Sequence, residues 1–273
     1  MKQEAKKTDL QVVANNPLLT TGMGLDDLAA DAGSGSQNVT AKDTATPLLR
    51  LLQDNSPEVK KIDSKYINGA QAGFIHNNVT NEVYNGTKGI TVVPCYFEKV
   101  FIEWRSGRGG LQGVHPVNTP LKDQITMTGV KQNDGSIKIM PLLPNGNSLI
   151  ETNQHYVLML KDDGSYEAAV IPMASTQLRC SRTWNTLVKK VVLQRSDGTP
   201  FNPASYYCQY KLTTKGVQKG DHSWYIYHVE SLGAVATRTI YDIAKALEHS
   251  VAMGGIKPKH EDTIYVPGED ISE

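Results

Sequence analysis

Apolar and polar side chains alternate with a period of two through most of the chain between residues 74 and 230, which predicts a body built mainly of strands. Phe74 to Asn77 and Glu82 to Tyr84 flank a polar turn, and Asn85-Gly86 follows as a second turn signal. Ile90 to Arg105 is a long β-branched and aromatic run, the strongest strand signal, in which Pro94 predicts a bulge or an edge. Ile125 to Val130 and Ser136 to Met140 are expected to pair across Asp134-Gly135. Tyr156 to Lys161 and Tyr166 to Met173 are expected to do so across Asp163-Gly164. Tyr206 to Thr213 and Ser223 to Glu230 make a last pair of strands, joined by a loop rich in Lys and Gly.

Helical spacing appears in three places. Thr46-Pro47 reads as an N-cap with proline at the first helical position, opening a short helix through Leu48, Leu49, Leu51 and Leu52. Ser175 can cap a second helix in which Leu178, Trp184, Leu187, Val188 and Val191 recur on one side, with Arg179, Arg182, Lys189 and Lys190 mainly elsewhere. Thr239 to Met253 makes the third, with Ile240, Ile243, Ala244 and Leu247 inward, and Gly254-Gly255 stops it.

These signals divide the chain into a flexible N-terminal arm (1–45), a folded body (46–255) and an acidic, disordered C-terminal tail (256–273). The arm and the tail have no apolar face long enough to bury. The fold class expected is β-rich α+β. Several strands, a helix, then further strands and a C-terminal helix fit an elaborated OB-like Greek-key barrel with its helix between strand groups. Other α+β sheets place one helix in the same way.

Composition changes this picture only slightly: 39% of the 273 residues are hydrophobic, enough for a sizeable core. Charge changes it more. The formal net charge is zero, with 28 basic and 28 acidic residues, but the charges are unevenly placed. Eight bases lie between Arg179 and Lys219 against the single acid Asp197, and five acids with no base lie between Glu261 and Glu273. Eight aromatics, from Trp184 to Tyr227, share the basic stretch.

Cations and rings together suit single-stranded nucleic acid, which offers phosphates to the first and unstacked bases to the second. Alternation puts Tyr207 and Lys211 on the wetter face of their strand, followed by Lys215 in the loop and Trp224 in the next strand. Arg179 and Arg182 lie on the outer side of the basic helix. In the long strand Lys99, Phe101 and Arg105 share a side, so Phe101 would be a stacking ring between two cations, and Arg108 in the glycine-rich loop extends that track. The same features have plainer explanations. Strand aromatics also pack cores, and basic helix faces are also simply solvated.

Several classes of function are excluded or disfavoured. No run approaches eighteen apolar residues, and the charged Met1 to Leu10 lacks a following apolar region, so neither a membrane span nor a secretory signal is expected. Cys95, Cys180 and Cys208 are widely spaced and are expected to be buried thiols without a disulfide or zinc role. There is no P-loop, no G-x-G-x-x-G entering a helix, no H-E-x-x-H and no G-x-S-x-G. A non-enzymatic protein without cofactor or metal is expected, and Asp162-Asp163 reads as a hairpin turn.

Four segments carry a resemblance: Leu51-Leu52-Gln53-Asp54-Asn55-Ser56-Pro57-Glu58, Gly89 to Lys99, Tyr210-Lys211-Leu212-Thr213-Thr214, and Gly220-Asp221-His222-Ser223-Trp224. Across roughly residues 46 to 230 the chain resembles single-stranded DNA-binding proteins of tailed bacteriophages. That resemblance implies an OB-type fold, binding without sequence preference in phage DNA replication or recombination, and action in the cytoplasm of the bacterial host. It also implies that the acidic C-terminus contacts replication or recombination proteins. The alternative is a phage-encoded interaction protein that recruits or inhibits a host factor and binds no nucleic acid. A nuclease with dispersed carboxylates is a third possibility, without a motif to support it.

An acidic tail on a DNA-binding body competes with phosphate for the same cations. Deleting residues 261 to 273 is therefore expected to tighten binding to a labelled oligonucleotide; unchanged affinity would remove the competitor role.

Overall fold

The computed structural model describes residues 29–39, 43–106, 110–131, 137–220, 222–256 and 258. Its chain divides into two units, residues 1–44 and 45–273. In the first, Ala29 and Ala30 are helical and a series of turns follows, in which Ala32 N–H donates to the Ala29 carbonyl and Ser36 to that of Gly33.

In the second unit, the strands in chain order are β1 (Leu49–Leu51), β2 (Ile75–Asn77), β3 (Val83–Tyr84), β4 (Ile90–Trp104), β5 (Leu111–Pro116), β6 (Thr126–Lys131), β7 (Ile137–Leu142), β8 (Ser148–Leu160) and β9 (Tyr166–Ala174). Helix α1 (Gln177–Lys189) comes next. Then follow β10 (Leu193–Gln194), β11 (Pro200–Phe201), β12 (Cys208–Lys219), β13 (His222–Ala234) and helix α2 (Arg238–Ala252). The expected hairpins and the placement of a helix between strand groups are all found.

The main sheet has eight antiparallel strands along the path β13-β12-β4-β8-β7-β6, with β5 added to β4 and β9 to β8. It is not closed into a barrel, which corrects the OB-like expectation. Closure requires the end strands to pair. Here β13 pairs with β12 and β6 with β7, and β13 and β6 do not meet in the ladder. A second, three-stranded sheet of order β1-β2-β3 lies beside the main one.

Strand β4 organises the core because both of its faces are covered. Ile90 and Val92 enter a cluster with Val157, Met159, Ile171, Tyr210, Leu212 and Trp184 of α1. Val93 and Cys95 enter another with Leu158, Val170 and residues Ala244, Leu247 and Val251 of α2. The expected bulge sits next to Pro94: the register with β8 shifts between Pro94 and Tyr96, leaving Cys95 as the extra residue. Beyond it, Val100, Ile102 and Trp104 pack with Ile150, and Phe101 packs with Leu143 and Leu149.

The short helix expected after Thr46-Pro47 is strand β1, paired with β2 from Leu49↔Asn77 to Leu51↔Ile75. Leu48 enters the cluster under α2 while Leu49 and Leu51 enter the cluster under α1. An extended chain can send neighbouring leucines to two sides in this way; a helix turn would gather them on one. Ser175 does not cap α1 either. It has φ 48, and Thr176 holds the N-cap position without a side-chain hydrogen bond. All three cysteines are free and buried, and burial pushes the Cys95 and Cys180 thiols up to about 12.

A polar group is enclosed beneath α1. Ser181 Oγ lies 2.8 Å from both Asn153 Nδ2 and His155 Nε2, and the His155 ring stacks on Trp184 with centroids 4.5 Å apart. Burial lowers the His155 pKa to about 3, so the imidazole is neutral in the folded protein near neutral pH. Between about pH 6.5 and 3 the unfolded chain binds a proton at this site that the folded chain does not, and stability must fall as pH falls through that window. The expected slope from this group is up to about 1.4 kcal/mol per pH unit. Denaturant melts of the wild type and His155→Gln from pH 7 to 4 should show the shallower slope in the variant; equal slopes would contradict the assignment.

Candidate nucleic-acid interface

The hairpin of β12 and β13 is the longest two-stranded ladder of the basic segment, and alternation along it separates two kinds of side chain. Cys208, Tyr210, Leu212 and Thr214 are buried against the sheet's principal cluster or the backbone beneath it, where Thr214 Oγ1 donates to the Gly73 carbonyl at 2.6 Å. Lys211, Lys215 and Lys219 occupy the opposite face.

Register brings further residues to that face. Lys211 opposes Glu230, Thr213 opposes His228, Lys215 opposes Ile226, Val217 opposes Trp224 and Lys219 opposes His222. Directly opposed residues of an antiparallel pair project to the same side. The three lysines thus form a line, with neighbours about 14 Å apart at ~3.4 Å per residue, and Trp224 stands beside it. Among the described residues none of the three has a carboxylate within 4.0 Å; Glu230 is instead engaged by His228 Nε2 at 3.0 Å. Trp224 is half-buried and its Nε1 is enclosed without a hydrogen-bond partner, so the indole offers solvent ring surface and not its N–H.

The remaining residues singled out from the sequence do not join this face. Arg179 and Arg182 are exposed on α1, whose buried side carries Cys180, Ser181 and Trp184. Trp184 packs edge-on against Tyr210, with centroids 6.0 Å apart, and Lys211 points away from Tyr210. The basic helix and the lysine line therefore lie on opposite faces of the sheet.

Tyr207 belongs to a 3-10 turn, Ser205–Tyr207, ahead of β12, and its ring packs partly buried against the principal cluster. Strand alternation does not extend across that turn, so Tyr207 does not share the wet face with Lys211.

Phe101 is 9% exposed, enclosed by Leu143, Leu149, Leu121 and Ile125. Its flanking cations are occupied as well: Lys99 Nζ is 2.8 Å from Glu151 Oε1, and Arg105 Nε donates to Gln112 Oε1 at 2.8 Å. The stacking arrangement expected around Phe101 is thus not formed, because β4 has no uncovered side at that point. Arg108 and the acidic tail lie outside the described residues.

Sequence reasoning missed Lys219, His222 and His228 on the lysine face. It read the stretch between Thr213 and Ser223 as a loop, whereas the ladder runs through to Lys219↔His222. Gly216 causes no break, since it lies opposite Tyr225, whose ring would sit 3.8 Å from an added Cβ.

A family model described as Pam3 phage gp34-like protein matches residues 20–257. The chain belongs to the Pam3 phage gp34-like family. Membership in the gp34-like family bears out the phage character expected from the sequence, and the match includes both the lysine face and the basic helix. Neither the curated proteins nor the solved structures compared with this gp34-like chain contain a match. Among its described residues no helix is long and apolar enough to cross a membrane.

Because the three lysines make no ion pair among the described residues, their removal should leave the fold intact. The triple variant Lys211→Gln, Lys215→Gln, Lys219→Gln is expected to unfold within about 0.5 kcal/mol per site of the wild type, as exposed substitutions do. A loss of several kcal/mol in a denaturant melt would show that these side chains hold the hairpin together.

Proposed function

We propose that this protein binds single-stranded DNA without sequence preference, in phage DNA replication or recombination within the bacterial host, using the lysine face of the β12–β13 hairpin. The observation that carries this reading is the line of Lys211, Lys215 and Lys219, without a carboxylate partner among the described residues, with the Trp224 ring surface beside it. Cations on that line contact phosphates spaced along the strand and release condensed counterions, while the indole stacks on a base for about 1 to 3 kcal/mol. Neither interaction reads sequence. The acidic tail supplies a competitor for the same face and a contact for replication or recombination proteins.

Exposed apolar side chains favour a second reading, that of an interaction protein. Met127, Ile137 and Ile139 are 60%, 72% and 44% exposed, and the register Gly129↔Ile139 and Lys131↔Ile137 puts all three on one side of the β6–β7 hairpin.

Titration of a labelled oligo-dT at several salt concentrations separates the two. Salt-sensitive binding is expected, and the triple Lys→Gln variant should lower the slope of log K against log salt by about 2, at ~0.7 for each phosphate no longer neutralised. Trp224→Ala should weaken binding by about 10- to 100-fold, whereas Arg179→Gln with Arg182→Gln should leave it nearly unchanged. Absent binding at low salt, or binding indifferent to salt, would overturn the DNA-binding reading and leave the interaction protein.

A further inference from the structure

The main sheet ends in two strands that are finished differently. At the β13 end, side-chain amides take the place of a further strand. Gln53 Oε1 accepts from Tyr225 N–H at 2.8 Å, and Gln53 Nε2 donates to the Tyr225 carbonyl at 2.9 Å. Gln177 Nε2 donates to the same carbonyl at 2.9 Å, and its Oε1 accepts from Tyr227 N–H at 3.0 Å. Backbone groups on an open edge are a template for another strand, and here two glutamines occupy them. At the other end β6 is the last strand, and among the described residues β7 is the only strand it pairs with.

The β6–β7 hairpin is also held to the body at one end only. Strand β7 meets β8 at a single pair, Leu142↔Ser148, and from Thr126↔Leu142 the hairpin runs out as a two-stranded ribbon to Lys131↔Ile137. Such a ribbon is marginal in water unless a further strand or a covering element supports it. One side of it carries the exposed Met127, Ile137 and Ile139. Gly129 lies among them, and Ile137 leans over it: a Cβ added to the glycine would stand 2.9 Å from Ile137 Cγ2. Strand β6 has no proline, and no charge before Lys131 at its end. Those are the devices that ordinarily keep an edge strand from pairing.

An edge of this kind fits a strand that has its own open edge, apolar side chains on the matching side and no charge set against Lys131. Strand β6 of a second copy meets all three conditions. We infer that the protein dimerises by pairing β6 with β6 of a second copy, antiparallel about a two-fold axis that passes between the two Thr128 residues. An axis perpendicular to the sheet keeps the apolar sides of both ribbons on one side of the joined sheet. Met127 of each copy then lies opposite Gly129 of the other, beside the Ile137 that leans over it, and the two Met127 side chains are diagonal neighbours about 7 to 8 Å apart. The two Lys131 fall at opposite ends of the new ladder, about 20 Å apart at ~3.4 Å per residue; parallel pairing would set them side by side. The lysine line of β12 and β13 lies at the far end of the strand order and stays open, so the pairing does not rest on the DNA-binding reading.

Sedimentation velocity of the full-length protein, together with cysteine crosslinking, tests the pairing. Two six-residue strands make a small interface, so the dimer is expected to assemble at about micromolar concentrations. Met127→Glu, at an exposed position, should raise the dimer dissociation constant at least about tenfold while the far-UV circular dichroism stays that of the wild type. Mixing it with Met127→Lys should restore a dimer, because the two side chains are neighbours across the axis. Thr128→Cys should give a disulfide-linked dimer under mild oxidation, since a residue on the axis faces its own copy. Thr126→Cys should not, being offset from its copy by about 14 Å at ~3.4 Å per residue. The native cysteines are buried. A monomer at every concentration, a dimer that Met127→Glu leaves intact, or crosslinking at position 126 as readily as at 128 would overturn the pairing, and the first of these would leave the apolar side of the ribbon to a different protein. A short oligo-dT that fits one copy should bind Met127→Glu with the wild-type salt slope, so failure of the dimer and failure of DNA binding are read separately.

Discussion

Pairing between β4 and β8 is the constraint on which the rest of the structure depends. The two strands run side by side from Thr91↔Leu160 to Trp104↔Ser148, and most of the residues along them are buried. A ladder buried on both faces cannot stand alone, since each face must be covered by another element. Helix α1 and the β1–β3 sheet cover one face, and α2 covers the other. The Cys95 bulge then re-aims the second half of β4, so that Val100 to Trp104 serve clusters of their own with Ile150 and Leu149. Removing a covering element would expose apolar surface worth about 25 cal/mol per Å².

That arrangement also decides where charge can be presented. At Phe101 the face of β4 is covered by Leu143 and Leu149, and the neighbouring Lys99 is tied to Glu151. Two groups of cations from the basic segment stay exposed: those on the outer side of α1 and those on the β12–β13 hairpin at the sheet's edge. Of these two groups, the hairpin's has the Trp224 ring beside it. A chain of zero net charge can in this way present a local cationic line.

Much of the secondary structure is legible in the sequence because alternation and helical spacing report burial directly. The β4 strand and its bulge at Pro94, the β8–β9 hairpin and α2 all lie where their patterns put them. Strand β1 was not legible. Thr46-Pro47 carries a local helix-start signal, and pairing with β2, a contact distant in sequence, overrides it. The open sheet was not legible either, since strand order in the chain does not say whether the end strands meet.

For the site, alternation told correctly which residues share a side of β4 and, from Cys208 onward, of β12, but it misplaced Tyr207, which lies in a turn, and did not tell which sides other elements cover. Lys211 and Phe101 looked alike in sequence. One is on an open hairpin and the other sits under Leu143 and Leu149. Trp224 joined Lys211 only through a register that single-strand patterns do not contain, and Lys219 joined it because β12 runs on past Thr213.

Where DNA lies, on the hairpin face or on the basic helix, is open to direct measurement. Photo-crosslinking of the protein to an oligonucleotide carrying 5-iodouracil, followed by peptide mapping, distinguishes the two surfaces. Crosslinks in residues 211–228, with Trp224 prominent, are the predicted result; crosslinks confined to residues 177–190 would contradict it.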